Sequence, residues 1–138
     1  EPVSGDEFHG GELGIQGSRS AEILKLWIGL RQLGEKGIEK ILLDAIKRRI
    51  YLESNIDPSK YKTISGPLHL LALTPINYST TQSYDWSIKT RNSLLKNKFM
   101  LSRPFYEDRY YLKVVLGNPN TSFEDLKLLA NLINYSIV

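Results

Sequence analysis

Apolar positions recur along the chain with two different periods, and the points where the period changes divide it into elements. From Ser20 onward, Ile23, Leu26, Trp27, Leu30 and Leu33 fall at helical spacing, with Ser18 or Ser20 placed to cap the first turn. Gly34 and Gly37 interrupt that stripe, because glycine loses the most backbone freedom in a helix interior. A second stripe at Ile38, Ile41, Leu42, Ala45, Ile46 and Ile50 predicts a helix running to Ser54, and Asn55, Asp57 and Pro58 end it. Tyr61 to Ser65 and Leu68 to Leu73 then have strand length and composition. Gly66-Pro67 supplies the turn between them and Pro75 stops the second, so a hairpin is expected.

The next polar stretch, Ser79 to Asn97, places Tyr84, Ile88 and Leu95 on one helical face, with Trp86 and Leu94 nearby. Phe99 to Ser102 and Tyr110 to Leu116 read as strands joined by Pro104 to Asp108 and paired antiparallel. After Gly117-Asn118-Pro119-Asn120, Thr121 and Glu124 stand at capping-box spacing before a stripe at Leu126, Leu129, Ala130, Ile133 and Ile137. This order predicts an α+β fold: an antiparallel sheet of about four strands with helices packed on one face. Glu1 to Gly17 holds five glycines and no periodic apolar pattern, so residues 1–19 are expected to form an extended lead-in and residues 20–138 one compact domain.

Composition narrows the function classes. A 41% hydrophobic and 24% charged chain of 138 residues is globular rather than disordered or coiled coil. The absence of cysteine excludes disulfides, thiolate metal sites and a cysteine nucleophile, and fits a cytoplasmic protein. Apolar runs are broken by charges, so no membrane span is expected, and the acidic, polar N-terminus shows no export signal. The net charge of +3 is spread along the chain, which argues against nucleic acid as a partner.

Candidate chemistry is sparse. His9 and His69 lie far apart in sequence and outside any metal-ligand spacing, so no metal site is expected; His69 reads as a core or edge histidine, and His9 is open to either reading. Gly10-Gly11 and Gly14-x-x-Gly17 lack the strand-turn-helix setting of a phosphate loop and read as flexible chain. Arg19, directly before a helix, presents a planar fork suited to a carboxylate, although spacing alone equally allows a solvated or ion-paired side chain. Trp27 reads as core and Lys25 as an outward side chain. Glu107 and Asp108 interrupt the aromatic cluster Phe105, Tyr106, Tyr110 and Tyr111, which favours sheet packing over a base-stacking platform.

The string Gln16-Gly17-Ser18-Arg19-Ser20-Ala21-Glu22-Ile23-Leu24-Lys25-Leu26-Trp27, followed by Leu33-Gly34-x-x-Gly37, resembles the group II pyridoxal-phosphate-dependent amino-acid decarboxylases. Those enzymes, which act on glutamate, cysteine sulfinate, diaminobutyrate and aromatic amino acids, carry a Gln-x-x-Arg segment leading into a Lys-Leu-Trp helix and a Gly-x-x-Gly break. Leu112 to Leu126, with Asn118-Pro119 and Thr121-x-x-x-Asp125-Leu126, is similar to their closing strand, turn and last helix. The resemblance implies the small C-terminal domain of a fold-type I enzyme, a missing N-terminal cofactor-binding domain, a homodimer in the complete enzyme, and Arg19 as the group that binds the carboxylate of an amino-acid substrate. Gly17 and Ser18 depart from the commoner residues beside that arginine. The Asn-Pro-His-Lys motif with the Schiff-base lysine, the aspartate facing the pyridine nitrogen and the histidine stacked on the ring are absent from the sequence. Without that lysine the cofactor has no covalent attachment, so these 138 residues are expected to bind no pyridoxal phosphate covalently, to hold no catalytic residue and to be inactive alone. A free-standing α+β binding or regulatory module is the alternative, motivated by the self-contained helices and strands.

Overall fold

The structure, a computed structural model, describes residues 22–137. The chain divides into two compact units, residues 1–36 and residues 37–138.

In the first unit, residues 22–36 are helical and open the long helix α1 (Glu22–Ser54). Helical geometry breaks at Gly34, where φ is 64° and ψ 179°. A Cβ makes that combination unfavourable, so the interruption falls at the glycine that can adopt it. Gly37, also expected to interrupt, sits in helical backbone. Trp27, expected in a core, is 57% exposed, and the Arg31 guanidinium lies 5.6 Å from its ring centroid. Ile23, Leu24, Ile28 and Leu30 are exposed as well. Apolar residues occupy every side of these turns, so spacing alone singles out no inner face.

The second unit continues through β1 (Tyr61–Ser65), β2 (Leu70–Pro75), α2 (Thr80–Lys96), β3 (Phe105–Tyr106), β4 (Arg109–Tyr110), β5 (Leu112–Val115) and α3 (Phe123–Asn134). The architecture is α+β with antiparallel sheets, as the pattern implies. Strands β1, β2 and β5 form one sheet in the order β1-β2-β5, with Tyr61 opposite Pro75 and Leu71 opposite Val114. Strands β3 and β4 form a separate hairpin. The main sheet therefore has three strands, where about four were expected. The expected strand at Phe99 to Ser102 reduces to one bridge, in which Ser102 and Lys113 exchange N–H···O bonds of 3.3 and 2.9 Å. Lys98, at φ 66°, turns the chain just before this segment, and Pro104 follows it without an N–H to offer, so the ladder cannot extend. Strand β2 lies two residues later than expected. Pro75 is its last residue rather than lying beyond its end, a position where a proline's missing donor is tolerated.

The pleat sends Leu71 and Leu73 of β2 and Leu112 and Val114 of β5 to one side, where they join Leu52 of α1, Trp86 of α2 and Leu126 and Ile133 of α3 in one buried cluster. Ile64, Leu70 and Val115, on the opposite side, are exposed. The helices thus cover one face of the sheet.

The inner faces of two helices differ from expectation. On α1 the buried positions are Ala45, Arg48 and Leu52, whereas Ile41, Leu42 and Ile50 are exposed. Arg48 lies on the inner face because its Nε donates to the Leu116 carbonyl at 3.0 Å, and an arginine there disguises the stripe. On α2 the inner face is Ser83, Trp86, Ser87, Thr90 and Leu94, while Tyr84 and Leu95 are exposed. Ser79 caps α2 through a capping box with Gln82. The cap of α3 is Ser122 with Asp125, one residue beyond the expected Thr121 and Glu124. The Ser122 side chain, and then its backbone N–H, hold the Asp125 carboxyl below the usual carboxylate range. The α3 stripe Leu126, Leu129, Ala130 and Ile133 is buried as its spacing requires.

Candidate functional site

Arg19, the residue expected to meet a substrate carboxylate, lies outside the described residues, as do His9, Gly10, Gly11, Gly14, Gly17 and the candidate caps Ser18 and Ser20. His69 is half-buried just before β2. Its carbonyl accepts the Leu116 N–H at 3.0 Å, and its ring approaches Gly117 closely enough for a side chain there to touch it at 3.4 Å. It is an edge histidine that fastens β2 to the end of β5. Among the described residues no group of three or more histidine, aspartate or glutamate side chains is placed to hold a metal ion.

The polar and aromatic side chains that do converge lie between α2 and the β3-β4 hairpin. Two serines one helical turn apart, Ser83 and Ser87, are fully buried on α2. Each hydroxyl donates back to a helix carbonyl, Ser83 to Thr80 and Ser87 to Tyr84, both at 2.8 Å. Each then has a lone pair free for the hairpin. Ser83 Oγ accepts the Tyr110 N–H at 3.1 Å, and Ser87 Oγ accepts Nε of Arg103 at 3.0 Å. The Arg103 guanidinium lies 5.2 Å from the Tyr84 ring centroid and 5.5 Å from that of Tyr110. The Tyr84 and Tyr110 rings meet edge to face at 5.0 Å, and Phe105 adds a third ring 4.8 Å from Tyr110. The aromatic cluster read from the sequence is therefore divided. Tyr111 is buried in sheet packing, whereas Phe105 and Tyr106 are more than half exposed.

The hairpin is closed by Glu107 and Asp108 at φ 47° and 55°, the mirror-image turn that matches strand twist but favours glycine or asparagine. Thr80 Oγ1 donates to the Asp108 carbonyl at 2.7 Å, and Arg109 Nη1 donates to the carbonyls of Pro75 and Ile76, at 3.3 and 2.8 Å. These bonds tie the hairpin to the end of β2 and the start of α2. Arg103 Nη2 is buried without a hydrogen-bond partner, as is Nη2 of Arg48. Arg103, Ser83 and Ser87 were not singled out in the sequence. The signal was the serine pair at one-turn spacing on the face of Trp86 and Leu94.

A small antiparallel α+β fold with helices on one face of the sheet is the class this architecture defines. Among solved structures it is similar to mouse CSAD in its apo form, at 19% identity and a TM-score of 0.72, over 96% of this chain and 32% of that one. It is also similar to Catharanthus roseus tryptophan decarboxylase in complex with L-tryptophan, at 16% identity and a TM-score of 0.69, over 83% and 25% of the two chains. A third similar structure is the glutamate decarboxylase domain of the diaminobutyrate-pyruvate transaminase and L-2,4-diaminobutyrate decarboxylase from Vibrio parahaemolyticus, at 15% identity and a TM-score of 0.62, over 82% and 25%. The likeness is one of fold, and it falls on the decarboxylases that the sequence resembles. The chain spans between a quarter and a third of the length of these structures. No family model and no curated protein matches the chain.

Proposed function

We propose that the chain is the C-terminal part of a pyridoxal-phosphate-dependent amino-acid decarboxylase, in which it helps to close the active site and Arg19 binds the substrate carboxylate. The observation that carries this reading is the fold likeness to decarboxylases over most of the chain, which supports the same family that Gln16 to Trp27 and Leu112 to Leu126 resemble in sequence. On this reading residues 1–19 lead in from a cofactor-binding domain and residues 20–138 form the small domain. The complete enzyme is a cytoplasmic homodimer. No described helix is long and apolar enough to cross a membrane.

The half-buried Lys60 is engaged, its Nζ donating to the carbonyls of Asn134 and Ile137 at 3.2 and 3.0 Å. On this reading the cofactor and its chemistry belong to the rest of the enzyme, whose Schiff-base lysine motif does not occur in this sequence. The part assigned to this chain is a guanidinium fork that orients a carboxylate by two parallel charge-assisted hydrogen bonds.

The test is the intact mass of the natural gene product after borohydride reduction, which fixes any lysine-bound pyridoxal. A much longer chain carrying the reduced adduct is the expected result. A product of 138 residues without adduct removes the decarboxylase reading and leaves a free-standing α+β module. In the complete enzyme, Arg19→Met is expected to lower kcat/KM by at least about tenfold, the loss associated with a charged hydrogen bond. An unchanged value takes Arg19 out of the site.

A further inference from the structure

We propose that Gly34 is a hinge at which α1 interconverts between the broken form and a continuous helix, so that residues 37–138 can turn as one body. The inference stands on the backbone around Gly34 and does not rest on the decarboxylase reading.

The break is made by one residue. Gly34 has φ 64° and ψ 179°, a combination that in practice only glycine adopts, while the backbone on both sides of it is helical. Sharp kinks arise at proline, at small residues such as glycine, or where an inserted group displaces the hydrogen-bond ladder. No proline occurs between Glu22 and Ser54. A glycine inside a helix can also serve the close approach of another element, but a Cβ at Gly34 would meet nothing within 4 Å. Gly34 therefore serves the backbone conformation alone.

Nothing among the described residues props the break in place. Leu33, Gly34, Glu35 and Lys36 are all exposed, and the first buried residue after them on α1 is Ala45. Closing the ladder through Gly34 regains backbone hydrogen bonds against the poor helix propensity of one glycine, a handicap of about fivefold in population relative to alanine. Opposing terms of that size, with no packing to decide between them, leave both forms populated. The boundary between the two compact units, at residues 36 and 37, falls just beyond the break, and the buried cluster lies wholly within residues 37–138. Movement at Gly34 therefore leaves the core intact.

The test is a distance measurement on the full 138-residue chain. The sequence has no cysteine, so spin labels attached through Leu24→Cys and Lys47→Cys, both exposed positions, report only the span across the break. A continuous helix sets those two backbones about 35 Å apart, and a break shortens the span. Pulsed dipolar spectroscopy is expected to give two populations, one at the helical span and one shorter. Gly34→Ala penalises the left-handed backbone and favours the helix, so it is expected to shift their ratio at least about tenfold toward the long span. Gly37→Ala, at a glycine already in helical backbone, is expected to leave the ratio unchanged. Neither glycine belongs to the buried cluster, and a cooperative unfolding transition in each variant checks that the core is kept. A single narrow distribution in the parent, a shift of less than about threefold in Gly34→Ala, or an equal shift in Gly37→Ala overturns the proposal.

Discussion

Tyr61 shows how a single hydroxyl fastens the end of the chain. It is buried, its OH donates to the Ile133 carbonyl at 2.6 Å, and Ser136 Oγ lies 3.0 Å away and accepts the Trp86 indole N–H. Burial pushes its pKa from 10.0 up to about 12, outweighing the hydrogen bonds from Ser136 and Trp86. Below pH 10 the folded and unfolded chains both keep the proton. Between 10 and 12 the unfolded chain releases it first, so stability falls as pH rises through that window. Tyr61→Phe is expected to cost about 1 kcal/mol near neutral pH and to flatten part of the alkaline fall, as measured by urea unfolding on either side of about pH 10. An alkaline profile identical to that of the parent would show that another group governs it. Arg48 makes a related point about legibility. Only 6% exposed, it serves the Leu116 carbonyl from the inner face of α1, a role for which an apolar periodicity has no symbol.

Among the elements, those whose end signals and apolar stripe coincide were legible in sequence. Strand β1 and helix α3 lie where the pattern places them, because Pro58 and Gly66 bracket the one and Leu126 to Ile133 repeat at three and four positions along the other. The inner face of α2 was not legible, since it is half hydroxyl: Ser83 and Ser87 read as polar, yet are buried because each donates to a backbone carbonyl and accepts from a second partner, the Tyr110 N–H of the hairpin for Ser83 and Arg103 for Ser87. The candidate site was legible only as isolated aromatic residues. What joins them is Arg103, which lies between the strand expected at Phe99 to Ser102 and the connection expected at Pro104 to Asp108 and was assigned to neither.

Two predictions belong at this scale. Ser122→Ala is expected to cost about 1 kcal/mol by removing the α3 cap, whereas Thr121→Ala changes stability little, and thermal unfolding of the two variants distinguishes these positions. Replacing Glu107-Asp108 with Asn-Gly relieves two left-handed residues. It is expected to raise stability by about 1 kcal/mol, seen as a melting midpoint a few degrees higher; a midpoint that falls would mean the acidic pair is needed where it stands.

For the whole molecule, the buried cluster runs from Leu52 to Ile133 and lies entirely within residues 37–138. Those residues are therefore expected to unfold cooperatively when residues 1–36 are deleted, with a melting midpoint within about 5 °C of the intact chain by calorimetry. A broad, non-cooperative transition would show that the cluster depends on the deleted part. The strand order has a consequence for biosynthesis. Strand β2 is central in the finished sheet, but its second neighbour, β5, is translated only after α2 and the hairpin. Until then the Leu-Leu-Ala-Leu run of β2 is an open, apolar edge, the kind of surface on which nascent chains pair with one another. A stop codon anywhere between Pro75 and Leu112 would make that interval permanent, so truncated products are expected in inclusion bodies rather than as a smaller soluble domain.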